Sequence, residues 1–289
     1  MYWAFIVNPI AGTGFSLQTM KNLEGRLRQK GIEYKVFLTE RPGHATQIAA
    51  QLAEEDQVYA VVAVGGDGTA SEVAAGLCET GKPMGIIPAG TGNDFIKTTN
   101  IPNDPQKALE LLLSRQPVDT DTGTVNDQFF LNVCGTGFDV TVLDYAESLK
   151  DKHRGLTPYL IGLLKAIRHY ESVKLKVTAD GKTEEGRYLV CSIANGRYIG
   201  GGIPICPEAN PADGKLNLVL IKHRARWKIP FYLPGLMMSK DLKFKVTSHR
   251  LVSRILIEGD NLRINIDGAI QPMEKVEFTV KPASLRLIR

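Results

Sequence analysis

Aspartates set beside glycines and threonines recur where short apolar runs of this chain end. Gly65-Gly66-Asp67-Gly68-Thr69 follows the apolar run from Val61, and Ala89-Gly90-Thr91-Gly92-Asn93-Asp94-Phe95 follows Met84–Pro88. Asn8-Pro9-Ile10-Ala11-Gly12-Thr13-Gly14 follows Tyr2–Val7. Glycine lets the main chain approach a ligand closely and adopt unusual torsions. Successive amides then form a nest for an anion, and a helix that starts after the turn aims its positive end at the same charge. One such loop is ordinary turn chemistry. Three within the first 95 residues, two of them carrying Asp beside Gly and Thr, point to a nucleotide phosphate site.

Phosphoryl transfer needs phosphates held in line, charge neutralised, and the attacking hydroxyl placed and deprotonated. Asn8, Gly66, Thr69 and Thr91 offer amide or hydroxyl donors for the first need. A carboxylate in an anion-binding loop is unfavourable unless a cation lies between it and the phosphate. Asp67 and Asp94 therefore read as serving Mg²⁺, directly or through water. The plainer reading is that each caps a helix or closes a turn on its own backbone. Thr69-Ala70-Ser71-Glu72 has capping-box spacing and predicts a helix beginning at Thr69.

The motifs at 65–69, 90–95 and 8–14 resemble the diacylglycerol-kinase catalytic family, particularly its bacterial soluble lipid kinases, with sphingosine and ceramide kinases as relatives. Asp121-Thr122-Gly123, Asn132–Phe138, Gly200–Pro207, Asp213–Leu216 and Asp267-Gly268 stand in the family's order, so the resemblance covers nearly the whole chain. GGDGT alone is shared with NAD kinases; GTGNDF and the glycines at 200–202 match lipid kinases better.

The resemblance implies ATP and Mg²⁺ as cofactors and a lipid alcohol such as diacylglycerol as acceptor. The expected nucleotide-binding residues are Asn8, Pro9, Gly12, Gly65, Gly66, Asp67, Gly68, Thr69, Ala70, Ser71, Thr91 and Asn93. The resemblance adds Thr39, which otherwise reads as a cap or turn residue before Pro42-Gly43. It also implies that Asp121 joins an Asp–water–Mg²⁺ network, with Asp119 close by in sequence. A second, structural cation, Mg²⁺ or Ca²⁺, is implied at Asp213 with carbonyls of Asn210 and Lys215, since only oxygen ligands are offered there. Without the resemblance, Asp213-Gly214 is an ordinary turn. The family carries an Asp-Gly-Glu motif where this chain reads Asn265-Ile266-Asp267-Gly268-Ala269. Asp267 is the candidate general base, although the residues alone read Asp267-Gly268 as a hairpin turn. If the family's proton acceptor is the glutamate, Ala269 leaves this protein slow or inactive.

The elements that must position these residues are legible in outline. Strand patterns at 2–7, 33–38, 59–64 and 84–87 alternate with helix patterns at 15–30, 43–54, 69–80 and 105–114, and Gly31 and Gly81 sit as C-cap glycines. Such alternation predicts an α/β domain with a parallel sheet covered by helices, and ligands at the carboxyl edge of its strands. Beyond Pro117 the pattern changes to short alternating runs: 128–134, 173–179, 187–194, 216–221, 241–248, 254–258, 261–266 and 276–280. These predict an antiparallel β-sandwich, with hairpin turns at Asp180-Gly181 and Asp260-Asn261 and helices over 141–150 and 157–170. The expected division is an ATP-binding domain at 1–124 and a β-rich domain at 125–283, with 284–289 packing back on the first. The acceptor is expected to enter between the two domains.

Composition bounds the partners. The chain has 289 residues, a formal net charge of +4 and an ordinary share of apolar and charged residues. That mild basicity favours an anionic ligand or membrane surface without being diagnostic, and no nucleic-acid motif accompanies it. Four cysteines at 78, 134, 191 and 206 lack metal-site spacing and read as reduced thiols. The dispersed histidines form no triad, and no Gly-x-Ser-x-Gly elbow is present. The chain opens directly on a strand, and no stretch approaches 18 uncharged apolar residues. A cytoplasmic enzyme, peripheral to the inner face of the membrane, is therefore expected to collect a lipid from the bilayer surface. Gly155–Leu164 is strongly apolar. Lys222–Met238 joins a basic cluster to an aromatic and Met-rich run, which suits either an anionic interface or a helix packed on the β-domain. A homodimer is compatible with the sequence, which does not decide oligomeric state. The rival readings are an NAD kinase and a nucleotide-binding relative without turnover, the latter motivated by Ala269.

Overall fold

The computed structural model describes residues 1–149, 157–231 and 247–289. The segments expected at 150–156 and 232–246, including most of the 241–248 strand, the end of the 141–150 helix and the Met-rich run, lie outside the described residues. The chain divides into two compact units, Met1–Thr122 with Pro282–Arg289, and Gly123–Lys281.

Continuous apolar runs make the first strands of unit 1. β1 (Tyr2–Val7) and β3 (Val58–Gly65) are buried almost throughout, as strands covered on both faces require. β2 (Tyr34–Leu38) is more exposed and lies at the sheet edge. β4 (Pro83–Pro88) completes the set. β2 and β3 flank β1, and β4 flanks β3, all in parallel. The last segment of β13 (Ala269–Ile288) adds beside β4, also in parallel, pairing Arg286 with Pro83 and Leu287 with Met84. β5 (Pro117–Val125) also pairs with β13. The sequence pattern predicts neither the strand over 117–125 nor a continuous strand through 269–288. Helices α1 (Phe15–Gln29), α2 (His44–Ala53), α3 (Asp67–Leu77), α4 (Asp94–Thr98) and α5 (Pro105–Ser114) connect the strands. They bury Leu23, Leu27, Ile48, Leu52, Val73, Leu77, Leu109 and Leu112. Because β4, β3 and β1 are adjacent and parallel, their carboxyl ends release the three glycine-rich loops side by side.

Two local expectations fail in unit 1. α3 starts at Asp67 with Gly66 at its N-cap and no side-chain cap bond, rather than at Thr69. Glu72 accepts from the Ala45 amide (3.2 Å) and so ties α3 to α2 instead of closing a capping box. α3 also ends at Leu77, and the first left-handed residue after it is Glu79 (φ 63°), not Gly81. Gly31 does follow the end of α1 with φ 65°.

Unit 2 is built of antiparallel strands: β6 (Gln128–Phe130), β7 (Val133–Gly137), β8 (Val173–Ala179), β9 (Lys182–Ala194), β10 (Leu216–Lys222), β11 (Thr247–Val252) and β12 (Arg254–Ile266), with the first part of β13. The sheet order is β11-β10-β9-β7-β12-β13. The long strands β9 and β12 share β8 at one end and β7 at the other. One cluster, with Phe130, Cys191, Leu218, Ile257, Ile264 and Phe278, fills one face. A second, with Phe138, Ala166, Tyr170 and Ile229, lies under α6 (Phe138–Glu147) and α7 (Thr157–His169).

The run 128–134 is two strands, interrupted at Leu131-Asn132. Asp260-Asn261 is not a hairpin turn. It belongs to an irregularity between Glu258 and Leu262 inside β12, with Asn261 at φ 51°. The turn chemistry was read correctly, but the chain uses it to bulge a strand rather than reverse it. Asp180-Gly181 does reverse the chain between β8 and β9.

Candidate functional site: three converging loops and a tethered hairpin

The loops leaving β1, β3 and β4 meet at van der Waals distance. The main chain of Gly66 lies against Gly90, where a Cβ on Gly90 would stand 2.3 Å from the Gly66 Cα. Gly12 has φ 58°, and a Cβ there would lie 2.4 Å from the Ala89 carbonyl oxygen. A Cβ on Gly65 would meet Thr69 Oγ1 at 2.4 Å. No L-residue with a side chain fits these positions without moving the backbone, so the glycines are what allow convergence.

Side chains then fasten the loops. Asn8 Nδ2 donates to Thr69 Oγ1 (3.3 Å), joining the first loop to α3. Asp67 Oδ1 accepts from the amides of Asp94 (2.6 Å) and Phe95 (3.2 Å), so it caps α4 from the neighbouring loop. Asp94 is buried and paired with Lys97 Nζ (2.9 Å), which also donates to the Gly92 carbonyl (2.9 Å). Lys97 was not read from the sequence. Its signal was the Asp94-x-x-Lys97 spacing, which puts both side chains on one helical face. Asn93, at φ 50°, turns its amide onto the Gly90 N–H and carbonyl (3.2 and 3.0 Å) and onto Asn103 Oδ1 (2.9 Å).

Of the expected nucleotide residues, Gly68 and Thr91 are exposed, and Asn8, Pro9, Gly12, Gly66, Asp67 and Ser71 are half-buried. Thr69, Gly65, Ala70 and Asn93 are buried. Thr39 extends the β1–β2 ladder, its amide bonding the Val7 carbonyl (3.0 Å), and Gly43 rather than Thr39 precedes α2. α3 opens at Asp67 directly after Gly66, so the positive end of its dipole lies at this convergence.

Asp121 is buried, and its Oδ1 accepts from the Ala283 amide (2.8 Å). It pins the returning C-terminal segment at a residue with φ 51°. Asp119 instead approaches Arg286 (3.4 Å) at the surface. Among the described residues no group of three or more His, Cys, Asp or Glu side chains could hold a metal ion. Mg²⁺ needs fewer: it commonly binds one or two carboxylates together with substrate phosphates and water. Asp67 and Asp94 suit that role only alongside the backbone bonds and ion pair they already make.

In unit 2, Asp267 stands at the tip of the β12–β13 hairpin with φ 46°. Its Oδ2 accepts from the Leu131 amide (2.7 Å), and its Oδ1 from Asn132 (2.9 Å) and Val133 (3.1 Å). These bonds interrupt the 128–134 run. Asn265 Oδ1 accepts from the Gly268 amide (2.8 Å) and finishes the turn. Ala269 is exposed. Asp213 is exposed and closes its own turn on the Lys215 amide (2.9 Å); Asn210 is also exposed.

Asp139 was overlooked in the sequence. It opens α6 after Gly137 (φ 113°), and its Oδ2 lies 3.4 Å from Asn265 Nδ2. Its Oδ1 is sealed from solvent with no partner. Burial pushes its carboxyl up to about 6, against the smaller opposing pull of the Asn265 bond. Burial also holds the Cys134 and Cys191 thiols far above their ordinary range, so these cysteines are packing groups rather than nucleophiles.

A parallel-sheet unit whose strand ends carry converging glycine loops is followed by an antiparallel β unit, a two-unit fold of the nucleotide-binding kind. Comparison with known proteins assigns it. The diacylglycerol kinase catalytic domain matches residues 2–125, and the YegS C-terminal NAD kinase beta sandwich-like domain matches residues 132–289. The chain belongs to the diacylglycerol kinase-like (YegS-like) lipid kinase family. It is 27% identical to a diacylglycerol kinase of Mycobacterium tuberculosis (strain H37Rv), over 98% of this chain and 94% of that protein. It is 33% identical to "Probable lipid kinase YegS-like" of Xanthomonas euvesicatoria, over 99% of this chain and 95% of that protein. A crystal structure of a candidate diacylglycerol kinase from Bacillus anthracis str. Sterne superposes with a TM-score of 0.81 at 25% identity, covering 99% of this chain and 96% of that one. No helix among the described residues is long and apolar enough to cross a membrane.

Proposed function

We propose that this protein is an ATP-dependent, Mg²⁺-requiring lipid kinase that phosphorylates diacylglycerol to phosphatidic acid. The observation that carries the reading is the convergence of the 8–14, 65–69 and 89–95 loops, tied by Asn8–Thr69 and by Asp67 across to α4. Triphosphate oxygens would be bound by the amides opening α3 and by the exposed Gly68 and Thr91. Mg²⁺ would arrive with the triphosphate, held mainly by phosphate oxygens and water with Asp67 as the facing carboxylate; bound there, it would neutralise charge on the transferring phosphoryl group. Unit 1 is thus assigned the nucleotide and unit 2 the lipid, which is drawn from a membrane surface.

Asp267 is assigned to positioning rather than to proton removal, because its carboxylate is committed to three amides. Phosphoryl transfer through a loose transition state leaves little covalent work for a base, and turnover without a carboxylate at position 269 follows from that. Asp121 fixes the C-terminal return, and Asp213 serves its own turn.

The test is transfer of radiolabelled γ-phosphate from ATP to a panel of lipids in mixed micelles with Mg²⁺. Labelled phosphatidic acid is the expected product. Label in another lipid would change the acceptor and keep the chemistry. ATP binding with no labelled lipid would favour the relative without turnover that Ala269 motivates. Phosphorylation of NAD would favour the NAD-kinase reading.

A further inference from the structure

Asp139 in unit 2 takes no part in the phosphate cradle, yet two glycines bring it over the sheet. Gly137, at φ 113°, ends β7 and turns the chain into α6; a Cβ there would lie 2.4 Å from the Leu189 carbonyl oxygen. Gly135 leaves the room that the carboxylate occupies. A Cβ at that position would lie 3.2 Å from Asp139 Oδ2 and 2.8 Å from the Cys191 carbonyl oxygen. Gly135 is also the β7 residue paired with Asn265 of β12. The acidic residue in the first turn of α6 therefore folds back onto the strand that leads into the 267–268 hairpin turn.

It meets there a side chain with two unlike ends. Asn265, buried, donates from Nδ2 to Asp139 Oδ2 (3.4 Å) and accepts on Oδ1 from the Gly268 amide (2.8 Å). A carboxamide has nearly the same shape either way round, so its partners decide which end goes where. Turned over, Asn265 would set its NH2 against the Gly268 N–H and its oxygen against the Asp139 carboxylate. The carboxylate thus holds the Asn265 oxygen on the turn. That turn carries Asp267, with its bonds to the Leu131, Asn132 and Val133 amides. Asp139 Oδ1 and Asn265 are both closed to solvent, so bulk water offers neither a substitute partner. A second tie between α6 and β12, Asp144 with Arg263, is exposed and lies farther down the ladder, opposite Pro272.

We propose that Asp139 is a positioning residue for lipid phosphorylation: by fixing the orientation of the Asn265 amide, it sets the hairpin turn that carries Asp267. It acts through Asn265 and not on the acceptor. The proposal rests on the lipid-kinase reading for its purpose, while the ordering of the turn is measured without it. What Asp139 must supply is a hydrogen-bond acceptor at this point. Aspartate, asparagine and leucine all branch at Cγ and fill similar space, so exchanging them separates hydrogen bonding from packing.

The experiment compares the full-length wild type, Asp139→Asn and Asp139→Leu, each shown to be folded by denaturant melts. Amide hydrogen exchange over 128–137 and 262–272 is read by mass spectrometry, beside initial rates of diacylglycerol phosphorylation in mixed micelles. Asp139→Asn keeps a carbonyl for Asn265 and should keep the wild-type exchange and kcat. Asp139→Leu should speed exchange in both segments by about tenfold. It should lower kcat by about 10- to 100-fold with KM for MgATP unchanged. Asn265→Leu should reproduce that loss, and the two leucines together should lose no more than either alone. Arg263→Gln, which cuts the exposed tie, should leave exchange and rate as they are. Wild-type exchange and kcat in Asp139→Leu, an Asp139→Asn variant as impaired as the leucine, or additive losses in the double variant would overturn the proposal. A wild type that phosphorylates no lipid, with the exchange pattern intact, would count against the kinase reading and leave the setting of the turn by Asp139 standing.

Discussion

The glycine-loop end of unit 1 and the hairpin tip of unit 2 both spend aspartates on main-chain amides, yet they are vulnerable in opposite ways. In unit 1, Asp67 fastens two amides of α4, but the loops are brought together by the absence of side chains at Gly12, Gly66 and Gly90. In unit 2 the hairpin is held by what is present: the Asp267 carboxylate, with three amides from a segment far away in the chain. The first region should break when atoms are added, and the second when charge is removed. A phosphate cradle must leave its amides open to a ligand, so it is shaped by close backbone contact. A turn that only has to be positioned can be saturated with internal bonds.

Adding atoms should produce the largest effect. Gly90→Ala places a Cβ 2.3 Å from the Gly66 Cα, and the forced loop displacement should lower kcat/KM for ATP by about 100-fold or more. Far-ultraviolet circular dichroism should stay native, and a wild-type rate would show that the loops need not converge. Removing charge comes next. Asp267→Ala strips the acceptors from three amides and should cost about 2–4 kcal/mol in chemical denaturation. A loss of activity at unchanged stability would instead restore Asp267 as the proton acceptor.

Asp139 sharpens the comparison, because the fold buries its carboxylate with Asn265 on Oδ2 and no partner on Oδ1. Its folded value of about 6 lies above the ordinary carboxyl value of 3.8, so folding favours the protonated form. Its contribution to stability is therefore fully present below about pH 4 and is lost as pH rises through about 6. Asp139→Asn should stabilise the protein by about 1–2 kcal/mol at pH 8, and the difference should vanish near pH 4, as read by denaturant melts at both pH values. Equal effects at the two pH values would remove the burial account. Ala269→Glu should change the smallest quantity, the turnover rate, by less than about tenfold, since loose phosphoryl transfer leans little on a base. A larger gain would mean that the wild type is impaired at this position.

The sequence made some of this plain for physical reasons. Doubly buried strands such as β1 and β3 announce themselves as unbroken apolar runs, and Gly-Gly-Asp-Gly-Thr marks its own turn. The ties between distant segments left no local trace. Nothing near Asp67 says that it caps a helix in the next loop, and nothing near Leu131 says that its amide will bond Asp267. The capping-box spacing at Thr69 failed for the same reason, because Glu72 had a better partner in the Ala45 amide. Asp260-Asn261 was misread because a bulge and a hairpin both ask for a residue at positive φ. Asp139 went unread because burial, not its neighbours in sequence, makes it unusual.

The most direct test of the central claim is the initial rate of phosphatidic acid formation from MgATP and diacylglycerol, measured for the wild type and Gly90→Ala beside calorimetric titration of each with MgATP. The account predicts phosphatidic acid from the wild type, and loss of both nucleotide binding and product in the variant. A variant that matches the wild type, or a wild type that binds MgATP and labels no lipid, would contradict it.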